Sequence, residues 1–157
     1  MSDITIPEGF KLFPVDGTFN DAIAPMVYRI TETEVVCGFQ VSKKHSNPMG
    51  MCHGGALMSL LDFSLSAGVC HKIGVFSGTP TISLSFDFMS RAMIGDWIFA
   101  EVEALKITNT MGFVQGLIKR ENGDLLVRAS GTFKLPKEGA QAGVSVEDFI
   151  LQNEKPR

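Results

Sequence analysis

The sequence predicts an α+β domain in which a curved antiparallel sheet of about five or six strands wraps one long helix. Three observations carry this. The run Gly54–Val69 has no proline, a single charge at Asp62, and apolar or small residues almost all the way round, the pattern of a helix covered on most sides. From Thr81 to Leu135 strand-length segments follow one another with apolar and polar residues in alternation. A sheet of that length has to cover something, and the apolar helix is the only obvious filling.

Taken in order, residues 1–25 mix Pro7, Gly9, Pro14, Gly17 and Pro25 with short apolar patches, and read as an N-terminal arm or lid with a turn of helix near Asn20–Ala24. Met26–Val41 is rich in β-branched and aromatic residues and reads as a hairpin turning at Thr31–Glu34. A loop over 42–52 leads into the helix, for which Gly68 or Gly74 offers the stop and His71 and Lys72 suit the negative end of the dipole. In Thr81–Met89, Ile82, Leu84, Phe86 and Phe88 alternate with Thr81, Ser83, Ser85 and Asp87. Trp97–Ile107 places Ile98, Ala100, Val102 and Ala104 opposite Glu101 and Glu103. Met111–Arg120 and Leu125–Leu135 follow as partners around a tight Asn122-Gly123 turn. The division is therefore an arm over 1–25, a domain over 26–135, and a tail over 136–157 that is either mobile or a short helix capped by Ser145 and running through Asn153.

A chain of 157 residues is long enough for one domain with a proper core. A net charge of −3 without any Lys/Arg run argues against a general nucleic-acid binder. The absence of an apolar run of spanning length, or of a basic and then apolar leader, predicts a protein that is not in a membrane and not secreted. Cys37, Cys52 and Cys70 are odd in number and lack ligand spacing, which predicts a reducing, cytoplasmic setting with no disulfide framework and no metal site. The mean hydropathy of +0.16 fits extra surface buried between subunits.

Asp62 is the residue that asks for an explanation. At helical spacing it shares a line with Gly55, Ser59, Ser66 and Val69, a narrow small or polar stripe. It is either hydrated or paired with a basic group at a gap in the covering layer, or held in a partly dry cleft as nucleophile or general base. The glycine pair Gly54-Gly55 leaves the first free N–H groups of the helix unshielded, where the dipole is positive and a carbonyl can be polarised. A rise of about 1.5 Å per residue sets Asp62 roughly 12 Å along the axis from Gly54, too far for both to reach one carbon. Two copies packed antiparallel about a two-fold axis would bring them together and make two equivalent sites.

The spacing Asn47, His53-Gly54-Gly55 and Asp62, followed by several strands, resembles the hotdog-fold acyl-CoA thioesterases of the phenylacetyl-CoA thioesterase (PaaI-like) type over roughly 26–135. The resemblance implies a homo-oligomer, a dimer or a dimer-of-dimers homotetramer, with sites between subunits. It implies Asp62 as nucleophile or general base, the Gly54 N–H on the thioester carbonyl, and Asn47 as a further polar contact. It implies a hydroxyl at Thr81 near the attacking water, with Ser83 as the register alternative, and His53 orienting the helix entrance or the leaving thiol. No cofactor or metal is implied; coenzyme A enters as part of the substrate. Gly55, Ser83 and Phe88 are expected to line the site, and Arg91 and Lys106 to meet the nucleotide phosphates.

The same residues have plainer readings. Asn47-Pro48 is a common turn opener, His53 a common cap, and His45 and His71 solvent or capping residues. Cys52 beside His53 invites a thiol mechanism, but adjacent residues rarely face each other and a free Cys is commonly a small core hydrophobe. The rivals at the level of function are a hydratase or dehydratase of acyl thioesters and a noncatalytic acyl-CoA binder.

Overall fold

The computed structural model describes residues 4–137, with 144–145 and 148. In chain order the elements are β1 (Lys11–Leu12), a 3-10 turn (Phe19–Ile23), β2 (Met26–Ile30), β3 (Val35–Gln40), a 3-10 turn (Lys43–His45), α1 (Gly54–Ile73), β4 (Val75–Phe76), β5 (Thr81–Phe88), β6 (Trp97–Ile107), β7 (Met111–Arg120), β8 (Leu125–Lys134) and β9 (Val144–Ser145). One sheet runs β1-β2-β3-β6-β7-β8-β5, antiparallel at every pairing, and β4 pairs with β9 apart from it. The sheet has seven strands against the five or six expected. The addition is β1, where Lys11 and Leu12 pair with Tyr28 and Val27. Two residues are too few to carry a period. Ser145 lies in β9, and of the helix expected after it only Asp148, which is helical, is among the described residues.

The hairpin, the long helix and the four later strands stand where the sequence placed them. Gly74 supplies the helix stop in a left-handed conformation (φ 77°), its N–H bonding back to Cys70 and His71. Leu60, Leu61 and Leu65 are fully buried against the sheet, each contributing about 1.5–3 kcal/mol of transfer free energy. Glycines let helix and sheet approach: a methyl on Gly68 would stand 2.6 Å from Cγ2 of Val102, and one on Gly116 3.0 Å from Leu65.

Two features position the open part of the molecule. The sheet covers α1 on one side only, so Met58 stays 41% exposed beside Ser59 and Asp62, which are half-buried. The helix is thus less fully wrapped within one chain than its composition predicts. The second feature is β5, which pairs with β8 on one side and ends the sheet on the other, leaving a row of unpaired backbone groups. Six of its eight residues are exposed. No helix of the described residues is long and apolar enough to cross a membrane.

Candidate active site

Asp62 stands on the uncovered stripe of α1, and β5 brings Thr81 to it. The Thr81 hydroxyl donates to Asp62 Oδ1 at 2.7 Å. A break in strand register makes this possible. Thr81 pairs with Phe133 and Ser83 with Thr132, so one residue, Ile82, is extra. Beyond the bulge Leu84 and Phe86 pack toward the core, while Ser85 and Asp87 bond Ser130 and Arg128 on the other face. The alternation read through Thr81–Met89 therefore breaks at its start: Thr81 joins the helix side, Ile82 is 55% exposed, and Ser83 falls outside the cleft. This cleft, about 640 Å³, is lined by Met58, Ser59, Asp62, Phe63, Ser66 and Thr79–Thr81, with Phe19 and Asn20 at its rim. Ser66, one turn beyond Asp62, hydrogen-bonds Thr79 through the two hydroxyls at 2.6 Å. Oδ1 is the one Asp62 oxygen hydrogen-bonded within the described residues.

The start of α1 lines a different cleft, about 600 Å³, with Asn47, Met51, Cys52, Leu57 and the segment Phe88–Arg91. His53 is the N-cap, and its Nδ1 accepts the Gly55 N–H at 2.9 Å. The His53 carbonyl takes the N–H groups of Ala56 and Leu57. Of the first-turn amides only Gly54 makes no hydrogen bond within the described residues. The Phe88 ring lies over it, 3.6 Å from where a side chain would begin. Asn47 shapes the approach: its side-chain oxygen accepts the N–H of Met49 at 3.0 Å and of Met51 at 3.2 Å. That leaves its amide NH₂ as the donor. The turn reading of Asn47 and its place in the cleft hold together.

Among the described residues, Arg91 is the one charged residue lining this cleft. Its loop is fixed from behind by Arg120, which donates to the Arg91 carbonyl at 2.9 Å and pairs with Asp96 at 2.9 Å and Asp124 at 2.6 Å. Burial works against Asp96, but the Met93 N–H and the Arg120 guanidinium outweigh it and hold the carboxyl below its usual range. Lys106 stands apart from both clefts, opposite Phe113 after a bulge in β6. His45 is buried, not solvated; its Nδ1 accepts the Ser42 N–H at 3.1 Å in a reciprocal cap. His71 Nε2 bonds the Thr31 carbonyl at 2.8 Å. Burial pushes the thiols of Cys37 to about 12 and Cys52 to about 11, so neither is a thiolate near neutral pH. Phe63, Ser66 and Thr79 were not singled out as site residues from sequence. Ser66 sat on the stripe with Asp62; Phe63 and Thr79 carried no signal.

The candidate residues therefore fall in two clefts: a carboxylate bonded by a hydroxyl in one, and in the other, beside an arginine, a helix amide without a hydrogen bond among the described residues. Comparisons with known proteins bear on the family and the fold. The family model described as the thioesterase superfamily matches residues 49–127, from the loop before the helix into β8. A Pseudomonas aeruginosa protein named as an esterase is 29% identical over 135 residues, 85% of this chain and 99% of that one. Human acyl-coenzyme A thioesterase 13 is 29% identical over 103 residues, 63% of this chain and 71% of that one. Among solved structures, zebra fish thioesterase superfamily member 2 superposes with a TM-score of 0.70 at 22% identity, covering 77% of this chain and 88% of that one. These findings converge with the helix-in-sheet architecture, and the chain belongs to the thioesterase superfamily.

Proposed function

We propose that the protein is an acyl-CoA thioesterase whose site is assembled from two subunits, with Asp62 of one facing the Gly54 N–H of the other. The observation that carries this reading is the split site. Asp62 and Thr81 occupy one cleft and the unbonded Gly54 amide another, and one helix holds them roughly 12 Å apart along its axis. Joining two chains along the open β5 edge, as a dimer or a pair of dimers, would close both gaps at once. The family and the curated relatives supply the substrate class: human acyl-coenzyme A thioesterase 13 by its name, and a Streptococcus pneumoniae thioesterase solved with coenzyme A, similar in fold (TM-score 0.60).

The chemistry follows from the groups present. A thioester carbonyl is already electrophilic and its thiolate leaves without strong acid assistance. Asp62 delivers an oxygen to that carbonyl, directly or by taking a proton from water, while Thr81 holds Oδ1 and fixes the carboxylate's orientation. The charge that develops on the carbonyl oxygen falls to the Gly54 N–H at the positive end of a 20-residue helix. Asn47 and Phe88 border the same opening, and Arg91 supplies positive charge for the nucleotide phosphates. His53 bonds the helix start through Nδ1 and bonds no carboxylate among the described residues, which favours thioester hydrolysis over hydration chemistry that needs a histidine paired with an acid. Three buried free thiols suit a reducing, cytoplasmic setting.

The test is release of coenzyme A thiol from a panel of acyl-CoAs by wild type and Asp62→Asn. Loss of about 10²–10⁴ in kcat with unchanged size in solution is the expected result. Equal turnover by both proteins would remove Asp62 from the mechanism, and none by either would favour a binder that kept the pocket; both overturn the reading. A single turnover in ¹⁸O water tests the nucleophilic route: ¹⁸O left on Asp62 means that the carboxylate attacked and that water then opened the resulting anhydride at the Asp62 carbon, whereas ¹⁸O confined to the released acid means that water attacked the acyl carbon, of the thioester or of the anhydride.

A further inference from the structure

The Asp62 cleft adjoins an apolar cavity with which it shares two lining residues. Phe63 and Ser66 line both it and a cavity of about 450 Å³ between α1, the β2–β3 hairpin, β4 and the N-terminal segment. Among the described residues, none that lines this cavity is charged. Its walls are largely apolar, among them Phe13, Ile30, Val35, Ala67 and Phe76. Its few hydroxyl and thiol groups are partly spoken for: Ser66 bonds Thr79, and the Cys70 thiol lies 3.4 Å from the Ser77 carbonyl. Phe13 closes one side, edge-on to Phe63 at 5.0 Å and to Tyr28 at 6.0 Å between ring centroids. The Gly54 cleft contrasts with it, bordered by Asn47, Ser90 and Arg91.

We propose that this cavity holds the acyl chain of the substrate, which enters past Ser66 from the Asp62 cleft, and that it selects uncharged acyl groups of medium length. The proposal rests on the thioesterase reading and adds the side from which each half of the substrate arrives. The apolar chain lies within the subunit that supplies Asp62. The polar coenzyme A lies toward the subunit that supplies Gly54 and Arg91. A cavity of this size and lining suits a small apolar ligand and offers nothing to a charged acyl end. The N-terminal segment acquires a role as well, since Phe13 is part of the wall that sets the cavity's length.

The experiment measures kcat/KM on acetyl-, butanoyl-, octanoyl- and palmitoyl-CoA for wild type, Ala67→Leu and Ile30→Ala. Binding of the matching non-hydrolysable thioether analogues is measured by calorimetry. In wild type each added methylene should raise kcat/KM about fourfold until the cavity is full. Ala67→Leu, which fills the cavity, should lower the octanoyl-to-acetyl ratio at least tenfold. Ile30→Ala, which enlarges it and needs no new volume in the core, should move the optimum to longer chains. The analogues should follow the same order in affinity. A uniform change on all four substrates, or ratios that neither variant moves, would overturn the proposal while leaving the thioesterase intact. Chain-length-dependent binding that the two variants shift, in a protein with no turnover, would instead keep the acyl cavity and remove the hydrolase.

Discussion

At Asp62 the proposal depends on one short hydrogen bond. The Thr81 hydroxyl fixes Oδ1 of the carboxylate at 2.7 Å, and this alignment is what a valine of the same shape would remove. Thr81→Val should lower kcat roughly tenfold with little change in KM, and Thr81→Ser should restore most of it. A change in KM alone would make Thr81 a binding residue. Much at this scale was legible in the sequence. A carboxylate in the middle of an otherwise uncharged helix is conspicuous by itself, and a glycine pair after a histidine marks the helix start. The pairing of Thr81 with Asp62 was less so, because the alternation through Ile82–Phe88 assigns Thr81 to the wrong face. Only the bulge at Ile82 turns it inward, and a bulge leaves no trace in a hydrophobic pattern. Lys106 was chosen for its charge, and charge does not reveal which part of a strand approaches a cleft.

At the scale of elements, the helix stays seated in the sheet because glycine stands where a methyl group would collide. Gly68→Ala places a carbon 2.6 Å from the stiff Val102 side chain, and overpacking of this kind costs about 1–3 kcal/mol. Urea denaturation should read that loss as a lower midpoint with an unchanged slope. An unaltered midpoint would mean that helix and sheet shift freely, and that Asp62 is not held where Thr81 can meet it. The loop before the helix carries a pH dependence of its own. Burial, and then the neighbouring charge of Lys44, lower the His45 pKa, while nearby backbone carbonyls oppose the shift. Above the unfolded value of 6.5 the ring is neutral in both states. As pH falls through 6.5 the unfolded chain takes up the proton first, so stability declines toward the lowered folded pKa. Thermal melts at pH 7.5 and 5.5 should therefore separate more for wild type than for His45→Asn, whose side-chain oxygen can still accept the Ser42 N–H. The long elements were predictable from period and length, whereas β1, β4 and β9, at two residues each, lie below any pattern.

For the whole molecule the open edge of β5 and the open stripe of α1 lie on the same side as the two half-sites. Exposed apolar residues gather there, with Ile82, Phe88 and Met89 at 50–55% and Met58 at 41%. A second copy would cover this surface and complete the chemistry together. The sequence allowed the two-chain arrangement to be reasoned from axial distance alone, but not the apolar cavity beside Phe63 and Ser66, whose walls come from four separate segments and depend on how they pack. The most direct test mixes two inactive variants. Asp62→Asn removes the carboxylate. Gly54→Pro removes the proposed oxyanion donor at a position where proline suits a helix start, after a His53 that is already extended (ψ 137°). Each variant alone should be nearly inactive. Refolded together in equal amounts, half the dimers would be mixed, and each mixed dimer would contain one intact site, so activity should return to about a quarter of wild type. No recovery from well-folded mixed dimers would contradict the account, because it would place Asp62 and Gly54 in the same chain's site.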